Sequence, residues 1–383
     1  MGLFWITFLL TYSVMHLYAF LKAKAAFAFH IATGIFLILF MVAMIFAPAI
    51  VRISEQHGLE YTARLISYIG YAWMGILLLF IPVSFIIELY RFALYLLKRR
   101  LRRDLVSFVP SAKLSFLIPL AFSALIASYG YFEAKNIHTD KIIIRTSKIP
   151  EEVGKLRIVQ ISDVHLGLIV REEKLKRILK EVKTANPDIL VSTGDLVDGQ
   201  IDSLTGLTEL LKEIHPRYGK FAITGNHEFI AGLNQSLDFT EKAGFTVLRG
   251  EGLTVSGLIN IAGVDDPAGK LYGLFRDVRE KELLSGLPGD KFTLLLKHRP
   301  LVDENALGLF DLQLSGHTHK GQIFPYSLLT KIYYPAHAGY LNLFNNSSLY
   351  VSSGAGTWGP PIRFLSPPKI TVIELIHEHE DVK

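Results

Sequence analysis

The chain of 383 residues contains no cysteine. Disulfides, thiolate metal sites and cysteine nucleophiles are therefore excluded. A cysteine-free chain suits either face of a bacterial membrane, so its redox compartment stays open. Positive charge is missing where a secretory leader would carry it. No Lys or Arg precedes the first apolar stretch, and Lys22 and Lys24 follow it, a pattern that favours a retained helix over a cleaved signal peptide. No basic patch with interleaved aromatics is present, so nucleic acid is not an expected partner. Internal repeats and low-complexity segments are absent too.

What is there divides in two. Residues 1–135 hold 12 Lys/Arg against 5 Asp/Glu, a balance of +7; the rest hold 28 against 30, a balance of −2. The basic excess thus belongs to the first third, which also carries four apolar stretches at residues 2–20, 30–51, 65–90 and 114–132. Each is near the roughly 20 residues that a helix needs to cross a bilayer. Lys22 and Lys24 follow the first stretch, and Arg91, Lys98, Arg99, Arg100, Arg102, Arg103 and Lys113 lie between the third and fourth. The intervening loop has only Arg52 and Arg64, balanced by Glu55 and Glu60. Basic loops favour the cytoplasm, so both ends of the chain, and the domain that follows, are expected outside it. The cluster at 91–113 reads as a topology anchor with lipid-headgroup contacts. His16, His30 and Glu88 fall near predicted span ends, where side chains reach the interface, and no paired intramembrane charges or broken-helix repeat suggest a transporter. A polar linker at 133–140 leads to a second domain, giving a division into 1–137 and 138–383.

The second domain alternates strand-like and helical runs. Residues 155–161 stop at Asp163 and His165; a helix over 171–184 follows; residues 188–192 lead to Gly194-Asp195; residues 220–224 lead to Gly225-Asn226-His227. Later runs at 292–296 and 312–314 deliver His298 and then Gly316-His317-Thr318-His319. Such alternation predicts an α/β domain with parallel strands, whose ligands gather beyond the carboxyl ends of the strands. Carboxylates, one amide and imidazoles, with no sulfur, suit two divalent ions, manganese first and iron or zinc next. A shared carboxylate such as Asp195 bridges ions about 3.5–4 Å apart, and a water between them reaches a pKa near about 7. That water is the expected nucleophile at phosphorus, which makes the domain a metal-dependent phosphohydrolase. Burying so many polar groups without metal would cost several kcal/mol.

The order and spacing of these motifs resemble the calcineurin-like metallophosphoesterase superfamily, in particular its bacterial, membrane-associated YkuE-like branch, over about residues 150–375. The resemblance implies a four-layer αββα sandwich, two sheets flanked by helices, here preceded by a bundle of four transmembrane helices. It also implies a ligand set: one ion on Asp163, His165, Asp195 and His319, the other on Asp195, Asn226, His298 and His317. His227 would contact the phosphate and protonate the leaving group, and Glu228 would orient His227. Many relatives have glycine where this chain has Lys320, which meets either a substrate phosphate or solvent. Arg363, in a Pro-Ile-Arg sequence shared with the branch, reads either as a phosphate or backbone contact or as a structural salt bridge.

Other residues carry less. Asp198 is placed either to orient a ligand or to stabilise its turn, and His337 either lines the cleft or does not. His215, His377 and His379 read as surface residues, and Asp265-Asp266-Pro267 as a turn. The apolar segment 326–344 is either a packed strand pair or a surface dipping into the bilayer. The resulting expectation is a membrane-anchored phosphohydrolase of a bacterial cell membrane. It would act on a mono-, di- or pyrophosphate ester, lipid-linked or envelope-derived, with membrane lipids as its surroundings. The rival is a catalytically silent membrane sensor or scaffold, which would tolerate damage to the motifs; none of the motif positions is substituted.

Overall fold

The computed structural model describes residues 2–199 and 205–378; His379 lies outside them. The chain forms two compact units, one of residues up to 132 together with 359–362, the other of residues 133–358 and from 363 onward.

The first unit contains helices α1 (Gly2–Phe27), α2 (Ile31–Gln56), α3 (Glu60–Leu101) and α4 (Ala112–Glu133), all four long and apolar enough to cross a membrane. The 42 residues of α3 span about 63 Å at 1.5 Å per residue, twice a bilayer core of about 30 Å. The expected loop after the third stretch is consequently a helix as far as Leu101, and Arg91, Lys98, Arg99 and Arg100 ride on it. Lys22 and Lys24 likewise sit within α1. Glu88 on α3 pairs with Lys22 of α1 and, at 3.3 Å, with Arg91. The expectation for His16 needs correcting. It is buried inside the unit, with Nδ1 2.8 Å from the Tyr12 carbonyl oxygen and Nε2 accepting from Trp73 Nε1 at 2.9 Å.

The second unit holds twelve strands in two six-stranded sheets. In the first sheet β1 (His138–Thr146) lies beside β12 (Lys369–His377), followed by β2 (Lys155–Ile161), β3 (Ile189–Ser192), β4 (Lys220–Ala222) and β5 (Thr246–Val247). The second runs β10 (Gly339–Asn342), β11 (Ser348–Val351), β9 (Leu312–Ser315), β8 (Phe292–Leu296), β7 (Ile259–Gly263), β6 (Glu251–Val255). β2 to β5 are parallel, as are β7, β8, β9 and β11; the antiparallel pairings are β12 with β2, β6 with β7 and β10 with β11.

Period-two side-chain alternation explains the layering. Ile158, Ile189, Val191 and Phe221 of the first sheet meet Ile261, Leu294, Leu296 and Leu312 of the second in one buried cluster. The opposite faces of the same strands, Val159, Ile161 and Leu190, pack on α5 (Glu172–Ala185), α6 (Thr205–Lys212) and α8 (Leu233–Lys242) through Leu175, Ile178, Leu211 and Phe239. Outside the second sheet, Ala262 and Leu295 meet Leu284 of α9 (Glu280–Ser285) and Phe310. Helix, sheet, sheet, helix is the four-layer order expected. The segment 326–344 departs from the strand-pair reading: its first half is helix α10 (Tyr326–Tyr333), and only β10 pairs.

Candidate metal centre

The candidate ligands leave the carboxyl ends of five parallel strands, three from the first sheet and two from the second. Asp163 and His165 follow β2, Asp195 follows β3, and Asn226 opens the short helix α7 (Asn226–Ala231) after β4. His298 follows β8, while His317 and His319 follow β9. Both sheets thus converge on one edge. Asp163, His165 and His319 form one group whose candidate donor atoms lie within 4.8 Å of one another, and Asp195, His298 and His317 form another.

The backbone is forced there. Asp163, His165, Asp195, His317 and His319 have φ of 51°, 55°, 51°, 70° and 48°, a left-handed region costing about 1–2 kcal/mol for a residue with a Cβ. Cross-loop hydrogen bonds hold it: Asp163 N–H donates to Gly194 O at 3.1 Å, His165 N–H to Asp195 O at 3.0 Å, and Gly356 N–H to Asp163 O at 2.8 Å. Glycine is needed at two close approaches. A Cβ on Gly225 would strike the Asp195 carboxylate, and one on Gly316 would strike Ser162 Oγ and the Asp163 carboxylate.

Each donor is aimed by a partner. Asp195 Oδ1 accepts from His227 N–H at 2.8 Å, which leaves Oδ2 facing His298 Nε2 at 3.2 Å and His165 Nε2 at 3.8 Å. One carboxylate oxygen is therefore shared between the two groups. His298 Nδ1 donates to Thr193 O at 2.8 Å, so Nε2 is the ring atom turned inward, toward Asp195 Oδ2. Asp198 Oδ1 stands 3.3 Å from His165 Nδ1 and fixes that ring the same way, with Nε2 3.0 Å from His319 Nε2. Asp163 Oδ1 accepts from His317 N–H at 2.9 Å and lies 3.6 Å from His319 Nε2. Behind His319, Arg363 Nη2 is 3.0 Å from Nδ1.

Burial dominates the electrostatics. It pushes His317 down to about 3, helped by neighbouring His298, and His319 well below its ordinary value, helped by His165. Burial would depress His298 and His227 too, but the Asp195 carboxylate reverses it and carries both up to about 10, with Asp198 adding to the effect on His227. Asp195 is held well below the carboxylate range against its own burial, by His298 first and then His227. Two neutral imidazoles and an anionic carboxylate are the species a divalent cation needs. Asn226 Oδ1 supplies the fit test: it is buried and accepts no hydrogen bond among the described residues. A buried amide oxygen without a donor, in a candidate set otherwise of imidazoles and carboxylates, suits a hard-to-borderline cation.

One expected role changes, and an alternative left open for Arg363 is decided. Glu228 does not orient His227. Its carboxylate accepts from the backbone N–H groups of Gly225 (2.7 Å), Leu196 (2.8 Å), Asp195 (3.0 Å) and Val197 (3.3 Å), so it holds the Gly-Asp turn. The group on the His227 ring is Asp198, whose Oδ1 is 2.8 Å from Nδ1. Arg363 is fully buried and forms no salt bridge among the described residues; it donates to the carbonyls of Ser353 (2.6 Å), Gly356 (2.8 Å) and Ser366 (3.2 Å). His337 contributes its carbonyl, accepting from Thr318 Oγ1 at 2.6 Å. Asp265 and Asp266 pair with Arg249 and Arg299, each at 2.7 Å. His215 is exposed, and His377 is half-buried with Nδ1 2.8 Å from Ile149 O. Sequence reasoning missed Tyr334, whose ring meets His317 edge-on at 5.3 Å, and Trp358, 6.0 Å from His227. Tyr334 lies within the apolar segment 326–344 and Trp358 within the stretch that leads to Arg363, and neither side chain is of a type that signals a metal ligand.

Comparison with known proteins shows the family. Residues 156–321 match the family described as calcineurin-like phosphoesterase. An uncharacterized metallophosphoesterase of Aquifex aeolicus is 40% identical over 255 residues, 66% of this chain and 97% of that protein. YkuE of Bacillus subtilis, also an uncharacterized metallophosphoesterase, is 33% identical over 277 residues, 67% of this chain and 93% of that one. A transmembrane protein with metallophosphoesterase domain from Danio rerio is 33% identical over 275 residues, 68% of this chain and 62% of that one.

Proposed function

The chain belongs to the calcineurin-like phosphoesterase family, and on that premise we propose that it is a membrane-anchored, binuclear-metal phosphohydrolase. The observation that carries the reading is the pair of donor groups Asp163, His165, His319 and Asp195, His298, His317, joined where one Asp195 carboxylate oxygen faces both His298 and His165, with His227 alongside. Asp163, His165, Asp195 and His319 would hold one ion, and Asp195, Asn226, His298 and His317 the other. When bound, two divalent cations supply Lewis-acid polarisation of the phosphoryl oxygens and an activated water.

The chain's own residues do the rest. Asp198 fixes Nδ1 of His227, which leaves Nε2 to carry a proton. That proton goes to the departing oxygen as the P–O bond to it breaks and the bond from water forms. Glu228 keeps the Asp195 turn in register through its four backbone bonds. Tyr334 and Trp358 flank the centre with aromatic surface that limits access of bulk water.

The substrate we propose is a lipid-linked or envelope phosphoester, a reading supported by the four apolar helices and by the relatives named as transmembrane proteins. The loop charges support an orientation with the catalytic unit outside the cytoplasm. Purified protein loaded with Mn²⁺ is expected to bind two ions by elemental analysis and to hydrolyse bis(p-nitrophenyl) phosphate. Full occupancy with no hydrolysis of any phosphoester would instead support a silent scaffold. Because the chain lacks cysteine, a single Asn136→Cys tests orientation. Labelling by an impermeant maleimide from the cytoplasmic side alone would overturn the proposed topology.

A further inference from the structure

We propose that the exposed apolar surface of the second unit from Phe324 to Trp358, with Leu365, is a membrane-seated lip that holds the metal centre at the headgroup–acyl boundary of a bilayer leaflet. The inference rests on the membrane reading above and not on the reaction. Among the described residues of the second unit, fourteen large hydrophobic side chains are exposed, and ten of them fall between 324 and 365; the other four are Ile143, Leu271, Leu274 and Leu301. α10 has no buried residue at all, although it carries Leu328, Leu329, Ile332 and Tyr333. Ile332 is 74% exposed, Tyr333 81% and Phe344 82%. A water-soluble helix buries its apolar side chains, and a contiguous exposed patch marks an interaction surface.

Charge selects the occupant. Residues 312–373 contain no Asp or Glu, so nothing acidic in the segment opposes an anionic surface. Lys320 and Lys331 stand in it without an ion pair among the described residues. Leucine and isoleucine with flanking tyrosine, tryptophan and lysine is the composition of helices that lie in the interface of anionic bilayers. A protein partner would be expected to offer acidic groups or a mixed rim; lipid requires only apolar surface and cations. The covalent tether fits, since only residues 134–137 separate the apolar helix α4 from β1. The lip also touches the chemistry. Tyr334, which caps the end of α10, meets the His317 ring, and Trp358 meets the ring of His227. A substrate whose phosphoester sits at headgroup depth would then reach the centre without leaving the leaflet.

The test uses the full chain in nanodiscs of phosphatidylcholine with phosphatidylglycerol, exploiting the absence of native cysteine. An environment-sensitive fluorophore is attached at Ile332→Cys or Phe344→Cys, with Leu271→Cys, 69% exposed, as the control. At 332 and 344 emission is expected to fall about twofold or more with doxyl-labelled lipid and to resist iodide, with the reverse at 271. Replacing phosphatidylglycerol by phosphatidylcholine is expected to weaken the lipid quenching. Equal behaviour at all three sites overturns the proposal. So does shielding of 332 and 344 from both quenchers, which would mean that protein covers the lip, whether this chain's own helices or a second copy. Catalysis is not part of the readout, so failure here leaves the phosphohydrolase reading standing.

Discussion

The two units put the same residue types to opposite uses. In the helical unit Ile31, Phe36, Leu39 and Leu125 face outward, while Ser67, Ser84, Ser115 and Ser123 are buried. In the second unit the aliphatic side chains fill two strand-lined cores, and the buried polar side chains include the candidate ligands Asp163, His165, Asp195, His298 and His319. Polar groups are also satisfied differently. Ser123 Oγ donates to Pro119 O at 2.6 Å and Ser67 Oγ to Arg64 O at 2.8 Å, within one helical turn. His165 and His319, 154 positions apart in the chain, meet at 3.0 Å. The contrast teaches that the solvent, not the composition, decides what a core is. Where lipid replaces water, helices gain little by hiding leucine, so small residues at close approaches hold them together. In water the apolar cores carry the fold, and the polar cluster is free to do chemistry.

The contrast can be broken most sharply at the shared carboxylate. Asp195→Ala is expected to lower metal-dependent hydrolysis by a factor on the order of 10³ or more. Membrane integration should be unchanged, checked by carbonate extraction beside the kinetic assay. Arg363→Met is expected to destabilise the catalytic unit by about 3 kcal/mol or more, because several buried carbonyls lose their donor. A denaturant titration that registers no loss would show that the guanidinium is dispensable.

Asp198→Asn is expected to reduce kcat by about 10–100-fold while the protein still binds two ions, since it loosens two rings without removing a ligand. Unchanged kcat would return the turn-stabilising role to Asp198. In the helical unit, a Cβ on Gly70 would fall 2.6 Å from Ala47 Cβ. Gly70→Leu is expected to cost about 1–3 kcal/mol of that unit's stability, read as a lower melting temperature in detergent with ion content unaltered.

The smallest effect concerns acid. Burial alone would raise Glu374, but Lys155 at 2.6 Å, Lys141 at 2.9 Å and Arg157 at 3.2 Å hold it down to about 2. Its contribution is therefore complete above the ordinary value of 4.5 and fades as pH falls toward 2. Glu374→Gln should flatten the stability profile in that window and nowhere else; a loss of equal slope in both proteins would remove Glu374 from the account.

Strand ends, the apolar helices and the ligand types were legible in the sequence because each depends on local pattern: period-two runs, long apolar stretches, and glycine beside Asp195, Asn226 and His317. Their joint meaning was legible too, since five motifs ending five strands share one destination in a parallel sheet. What the pattern could not contain is who touches whom across the centre. Glu228 reads as the partner of His227 because it is adjacent in sequence, yet its carboxylate turns to four backbone N–H groups, and Asp198, 29 positions earlier, takes the ring. Arg363 reads equally as ion pair or backbone anchor until three surrounding carbonyls choose for it. The apolar segment after the ligands reads as strand until α10 forms with nothing buried beneath it. By itself, then, the sequence determined which ligand types are available and where four helices long and apolar enough to cross a membrane lie, because side-chain type and spacing follow from local physics. Only the tertiary structure decided which oxygen is shared, which carboxylate aims which ring, and which apolar face is left over, because those contacts close between segments that sequence order keeps far apart.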